Sequence, residues 1–128
     1  MQKKKILVID DEADLTRLLK TNLEGTGKYE VMTLPNANDI ITQVHTFRPD
    51  IILLDILMPG IKGIEVCEIL NQDIIGKYIP IIIISALAKE ADKYKAYRVG
   101  VVDYMEKPIE LERLIMKVDK YIQFKREA

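Results

Sequence analysis

The sequence predicts an α/β chain, a doubly wound five-stranded parallel sheet with helices on both faces, formed as one domain over residues 1–128. Three observations predict it. Short apolar runs without polar alternation recur along the chain, as strands buried on both faces require. Segments of helical period separate those runs, so strand and helix alternate throughout. The connections are long enough for right-handed crossovers, which keep the strands parallel.

Each element follows in order. Lys3-Lys4-Lys5 reads as a solvated lead-in that discourages edge pairing, and Ile6-Leu7-Val8-Ile9 is the first strand. Leu15, Leu18, Leu19 and Leu23 mark the first helix, with Gly25 and Gly27 as its stop. Tyr29-Glu30-Val31-Met32 is a weaker second strand, and Ile40, Ile41 and Val44 form a short helical stripe before Pro49. Ile51-Ile52-Leu53-Leu54 is the third strand, followed by the apolar helix set Ile64, Val66, Cys67, Ile69 and Leu70. Pro80 opens the fourth strand, Ile81-Ile82-Ile83-Ile84, and Gly100 ends the fourth helix. The fifth strand is read from Val101-Val102 through Tyr104-Met105, before the most regular amphipathic helix of the chain, Leu111, Leu114, Ile115, Val118, Tyr121 and Ile122.

Composition narrows the function. A chain of 128 residues buries about two-thirds of its surface on folding, enough for a core without staples. Its 19 Lys+Arg against 20 Asp+Glu leave a net charge of −1, so no broad positive field draws it to nucleic acid or anionic membrane. The basic start runs into too short an apolar stretch for a signal peptide, and no run approaches the ~20 apolar residues of a membrane span. The expected location is the cytoplasm. The single Cys67 forms no internal disulfide and reads as a buried structural thiol. His45, on the polar side of the second helix, reads as an exposed surface residue and not as a phosphodonor.

Parallel strands share one carboxyl edge, where ligands of open α/β sheets bind. Asp10-Asp11-Glu12 follows the first strand, Asp55 the third, Ser85-Ala86 the fourth and Lys107-Pro108 the fifth. Three ionised carboxylates brought together at low dielectric repel and call for a cation. All-oxygen ligands with room for water suit Mg²⁺, which joins carboxylates to phosphate oxygens. Lys107 adds a fixed ammonium and Ser85 a hydroxyl. Together they match the electrostatic task of phosphoryl transfer to a carboxylate nucleophile, Asp55, which needs no general base.

The stretches Ile6 to Glu12, Pro49 to Gly60 with Gly63, Ile84-Ser85-Ala86 and Gly100 to Pro108 resemble, in order and spacing, the receiver domain of two-component response regulators. The resemblance runs from Lys4 to about Lys125. It implies the (βα)5 flavodoxin-like receiver fold with strand order 2-1-3-4-5. It implies further that Asp55 accepts a phosphoryl group from a sensor histidine kinase or a histidine phosphotransfer protein. Asp11, Asp55 and the backbone carbonyl of Leu57 would hold Mg²⁺, or Mn²⁺ in its place, with Asp10 acting largely through a water. Lys107 would bridge Asp55 and the phosphoryl group, its bond to Pro108 would be cis, and Ser85 with Tyr104 would form the switch pair. The receiver would act on a downstream effector protein, or on a C-terminal output domain if the chain is part of a longer regulator.

Three positions depart from the usual family pattern. Leu57 and Leu87 are apolar where fast-hydrolysing members carry polar side chains, so both are expected to shield the acyl phosphate and lengthen its life. Val101-Val102-Asp103 stands where many members carry Ala-Asp-Asp, which removes one acid from the salt-bridged dimer of some regulators and points to a monomer or weak dimer. Rival readings fare worse. An aspartyl-phosphate phosphotransferase for small molecules needs a general acid where Leu57 stands. A cofactor carrier wants glycines or hydroxyls where the first loop is acidic. A phosphorylation-independent scaffold has no need of the full set of site residues.

Overall fold

The structure, a computed structural model of the chain, describes residues 2–57, 62–86, 89–124 and 126. Strand and helix alternate as β1 (Lys4–Ile9), α1 (Ala13–Gly25), β2 (Tyr29–Leu34), α2 (Ile40–Phe47), β3 (Ile51–Leu54), α3 (Gly63–Asn71), a 3₁₀ turn (Gly76–Tyr78), β4 (Ile81–Ser85), α4 (Glu90–Arg98), β5 (Asp103–Glu106) and α5 (Leu111–Tyr121). The strands pair in parallel in the order β2-β1-β3-β4-β5. This is the doubly wound sheet that the sequence predicts, in the strand order that the receiver resemblance implies.

The unalternating runs are buried on both faces because each face has its own core. Leu7, Ile9, Ile52, Leu54, Ile81 and Ile83 pack with Val44, Val66, Cys67, Leu70 and Ala96 of α2, α3 and α4. Their neighbours Ile6, Val8, Ile51, Leu53, Ile82 and Ile84 pack with Leu19, Leu23, Leu114 and Val118 of α1 and α5. Period-two alternation of side-chain direction thus splits one apolar run between two cores. Cys67 is fully buried in the first, and burial pushes its thiol up to about 12, so it is an inert packing residue.

Two strand boundaries differ from the sequence reading. Lys4 and Lys5 are not a lead-in: they belong to β1, which lies between β2 and β3, and pair with Tyr29 and Glu30. The Lys5 N–H also donates to Asp50 Oδ2 at 2.8 Å, and its ammonium lies 5.4 Å from the centre of the Phe47 ring of α2, so the ladder extends down to charged residues. At the other end, β5 begins at Asp103, not at Val101. Gly100 adopts φ +90° and the Val101 N–H turns back to the Ala96 carbonyl, so Val101 closes α4 before the ladder can begin. His45 is exposed, as its place on the polar side of α2 predicts, and its Nε2 lies 2.8 and 2.9 Å from the two oxygens of Asp73, joining α2 to the loop after α3.

The approach of α3 to β3 depends on one glycine. A Cβ on Gly63 would overlap the Cα and side chain of Ile56, just past β3. Gly63→Ala should therefore force α3 away from the sheet and cost about 3 kcal/mol, as overpacking does. A urea titration checks this; a loss below about 0.5 kcal/mol, the range of ordinary surface changes, would show that the helix has room there.

Candidate functional site

The carboxyl ends of β1, β3, β4 and β5 bring Asp10, Asp55, Ser85 and Lys107 to one rim. Asp10 and Asp55 are each 3% exposed and Ser85 is fully buried. The two acids are held alike. Asp10 Oδ1 accepts the N–H of Glu12 at 2.9 Å, and Asp55 Oδ1 accepts that of Leu57 at 2.8 Å, so each carboxylate braces the turn that follows its own strand. The second oxygen of each faces Lys107, whose Nζ lies 2.9 Å from Asp10 Oδ2 and 3.0 Å from Asp55 Oδ2. Exposed Asp11 completes the cluster, since one carboxylate oxygen from each of Asp10, Asp11 and Asp55 lies within 4.8 Å of the others.

Lys107 arrives here because the ladder continues one residue past β5: its N–H donates to the Ser85 carbonyl at 2.9 Å. The bond to Pro108 is cis. The ammonium has a third partner, Glu12 Oε1 at 3.1 Å. Residue-by-residue reading missed this contact, although Glu12 stands in the acidic run that marks the rim. It became visible only when α1 was seen to begin directly after that residue.

Burial and pairing act in opposite directions on these charges. Burial raises the pKa of Asp55 above 3.8 and the Asp10 charge adds to that, outweighing the Leu57 N–H and Lys107, which lower it. For Lys107, burial works downward, but hydrogen bonds to Asp10, Asp55 and Glu12 hold its pKa well above the ordinary 10.5. Asp10, Asp11, Glu12 and Asp55 set four carboxylates against the one ammonium of Lys107, and this excess of negative charge favours a further cation. The donor set is all hard oxygen, and it fits a divalent cation of the Mg²⁺ type in composition.

Beside the acids, Tyr104 is only 8% exposed, and burial raises the pKa of its hydroxyl against a lowering influence of the Ser85 side chain. Lys93 of α4 lies 6.0 Å from the centre of the Tyr104 ring and 3.5 Å from Glu106. Leu57 is 48% exposed at the rim. Leu87 lies outside the described residues, as do Met58, Pro59 and Gly60.

A parallel sheet carrying an acid cluster, a hydroxyl and a lysine at its carboxyl edge defines a receiver. Residues 6–119 match the family described as the response regulator receiver domain, and the chain belongs to that family. It is 41% identical over 105 residues to the alkaline phosphatase synthesis transcriptional regulatory protein PhoP of Bacillus subtilis (strain 168), a match covering 82% of this chain and 42% of that protein. The chain thus spans less than half the length of that relative. Among solved structures it is similar to a two-component response regulator from Clostridium difficile, with TM-score 0.87 and 26% identity over 94% of this chain and 97% of the other. The Francisella response regulator 1452 receiver domain aligns with TM-score 0.85 and 29% identity, covering 94% and 98%. No helix of the described residues is long and apolar enough to cross a membrane.

The raised pKa of Asp55 has a measurable sign. A group whose pKa is raised by folding contributes stability below its ordinary value, 3.8, and loses that contribution as pH rises through the folded value. At pH 7 the charged carboxylate is therefore a burden, while Lys107 retains Asp10 and Glu12 as partners. Asp55→Asn should stabilise the metal-free protein at pH 7 by about 1 kcal/mol, seen as roughly 4 °C in thermal unfolding. The gain should shrink as pH falls toward the raised value. A lower melting temperature for Asp55→Asn at pH 7 in chelator would contradict this balance.

Proposed function

We propose that the chain is a phosphoacceptor signalling module. Asp55 takes a phosphoryl group from a phosphohistidine on a sensor histidine kinase or a histidine phosphotransfer protein, in a Mg²⁺-dependent reaction, and the acyl phosphate alters partner binding. One observation carries the reading: in a receiver-family chain, a nearly buried Asp55 stands 3.0 Å from Lys107 and within 4.8 Å of the Asp10 and Asp11 oxygens. On this reading residues 1–128 form one receiver module in the cytoplasm, catalysing only its own phosphorylation and dephosphorylation.

An Asp55 oxygen forms the new O–P bond as the P–N bond breaks, and the donor imidazole leaves with that electron pair. Lys107 exchanges its contact with Asp55 Oδ2 for a phosphoryl oxygen, while Asp10 and Glu12 keep it at the rim. Ser85 donates its hydroxyl to a second oxygen. Asp11, Asp55 and the Leu57 carbonyl, with Asp10 through a water, would hold Mg²⁺ or Mn²⁺, which supplies the remaining positive charge. As Ser85 turns to the phosphoryl group Tyr104 follows as its switch partner, and the surface around Tyr94, Tyr97, Tyr104 and Tyr121 is re-formed for an effector protein or an attached output domain. Asp103 supports the monomer or weak dimer: its carboxylate is already taken by Lys117 at 2.5 Å and by the Tyr104 N–H at 2.7 Å within the same chain.

Incubation with acetyl phosphate and Mg²⁺ should add one phosphoryl group, mapped by mass spectrometry to Asp55. Excess chelator should abolish it; labelling of Asp55→Asn at the wild-type level would sink the assignment.

Leu57 bears on the lifetime. Its side chain has no atom to orient an attacking water, so Leu57→Asn should speed autodephosphorylation up to about tenfold, the effect of one contact worth ~1.4 kcal/mol. Leu57→Asn combined with Leu87→Glu should be faster still. Unchanged decay in both variants would remove shielding as the explanation.

A further inference from the structure

The opposite edge of the sheet holds a second built arrangement that the phosphoacceptor chemistry does not use. After α5, Ile122 inserts into the core shared by α1 and α5, and Phe124 packs edge-on against Tyr121 at 5.5 Å. Arg126 is held at the ends of other elements. The Arg126 N–H donates to the Tyr78 carbonyl at 2.8 Å. Its guanidinium donates from Nε to the Ile79 carbonyl at 2.6 Å, from Nη2 to the Gly76 carbonyl at 3.1 Å and from Nη1 to Asn71 Oδ1 at 2.6 Å. A longer contact, 3.5 Å, runs from Nη1 to the Gly100 carbonyl. Asn71 is itself a bridge, since its Nδ2 donates to the Val99 carbonyl at 2.8 Å.

Asn71 ends α3 and Gly100 follows α4, where macrodipoles are negative, while Gly76 opens the 3₁₀ turn and Ile79 follows it. Among the described residues no carboxylate pairs with Arg126, so neutral oxygens hold its charge through charge-assisted hydrogen bonds. Gly100 shapes the site: it takes φ +90°, and a Cβ there would stand 3.2 Å from Arg126 Nη1. A planar fork with five donors fits several carbonyls on different elements, whereas an ammonium cannot span them.

We infer that the base of the fold is a guanidinium socket whose occupant is Arg126 of the same chain, and that Phe124 and Arg126 act as a strap tying the end of α5 to the ends of α3 and α4. The strap and the α4–β5 turn are then coupled reciprocally through Asn71, Val99 and Gly100. A shift of α4 against α3 loosens the strap, and removing the strap loosens the turn.

The coupling is tested from both ends in the full chain without phosphorylation. Arg126→Gln should speed amide exchange at Gly100 and Val101 about tenfold, with Arg126→Lys intermediate and far-UV circular dichroism unchanged. Asn71→Ala, far from the cleavage point in sequence, should speed chymotryptic cleavage after Phe124 by a similar factor. Wild-type exchange at Gly100 and Val101 in Arg126→Gln, or wild-type cleavage in Asn71→Ala, overturns the strap. A fully rescuing Arg126→Lys overturns the fork-shaped socket.

Discussion

One ammonium makes the rim of this sheet tenable. Asp10 and Asp55 are almost wholly buried at neighbouring strand ends, and among the described residues Lys107 is the cation that pairs with either. Burying a carboxylate without compensation costs several kcal/mol. The compensation comes from the edge strand, two strand spacings from β3, on the order of 10 Å. That crossing suits a long side chain and a short residue at the intervening strand end, and Ser85 at the end of β4 is such a residue. The polar ends of β1, β3, β4 and β5 are therefore interdependent: their parallel order sets the distance that Lys107 must bridge.

Most of the architecture was legible because it rests on periodicity. Apolar runs such as Ile51 to Leu54 have no solvent-facing position, so only a sheet covered on both sides accommodates them. Boundaries were less legible where hydrogen bonding overrides side-chain character. Val101 and Val102 are good strand residues, but the turn at Gly100 commits the Val101 N–H to the end of α4. Lys4 and Lys5 are poor candidates for a central strand on composition, yet β2 and the Asp50 carboxylate hold their backbone in the ladder.

The site was legible to the extent that its residues follow strands directly. Asp10, Asp55, Ser85 and Lys107 could be placed on one rim because parallel topology brings strand ends together without knowledge of any side-chain angle. Contacts that depend on how an element leaves the rim could not be read that way. Glu12 meets Lys107 because α1 starts immediately after it, and Asp103 meets Lys117 because α5 returns across β5. His45 and Asp73, 28 positions apart, meet through the packing of α2 beside the loop after α3, which no local pattern in the sequence encodes.

The same topology polarises the molecule along the strands. In a parallel α/β sheet every helix starts near the carboxyl edge and ends near the opposite one, so N-terminal N–H groups gather at the rim and C-terminal carbonyls at the base. The rim accordingly tolerates acids. The N–H of Glu12, just before α1, is given to Asp10, and the Leu57 N–H to Asp55. The base tolerates a cation without an acid, and the carbonyls of Gly76 and Ile79 with the Asn71 side chain receive Arg126. Placing Arg126 at the rim would compete with Lys107 for the two buried acids, and placing a carboxylate at the base would set it against helix carbonyls. The separation of the anionic site from the guanidinium socket is thus a consequence of helix direction, and α4, which starts near one and ends in the other, is the element through which the two ends of the sheet can sense each other.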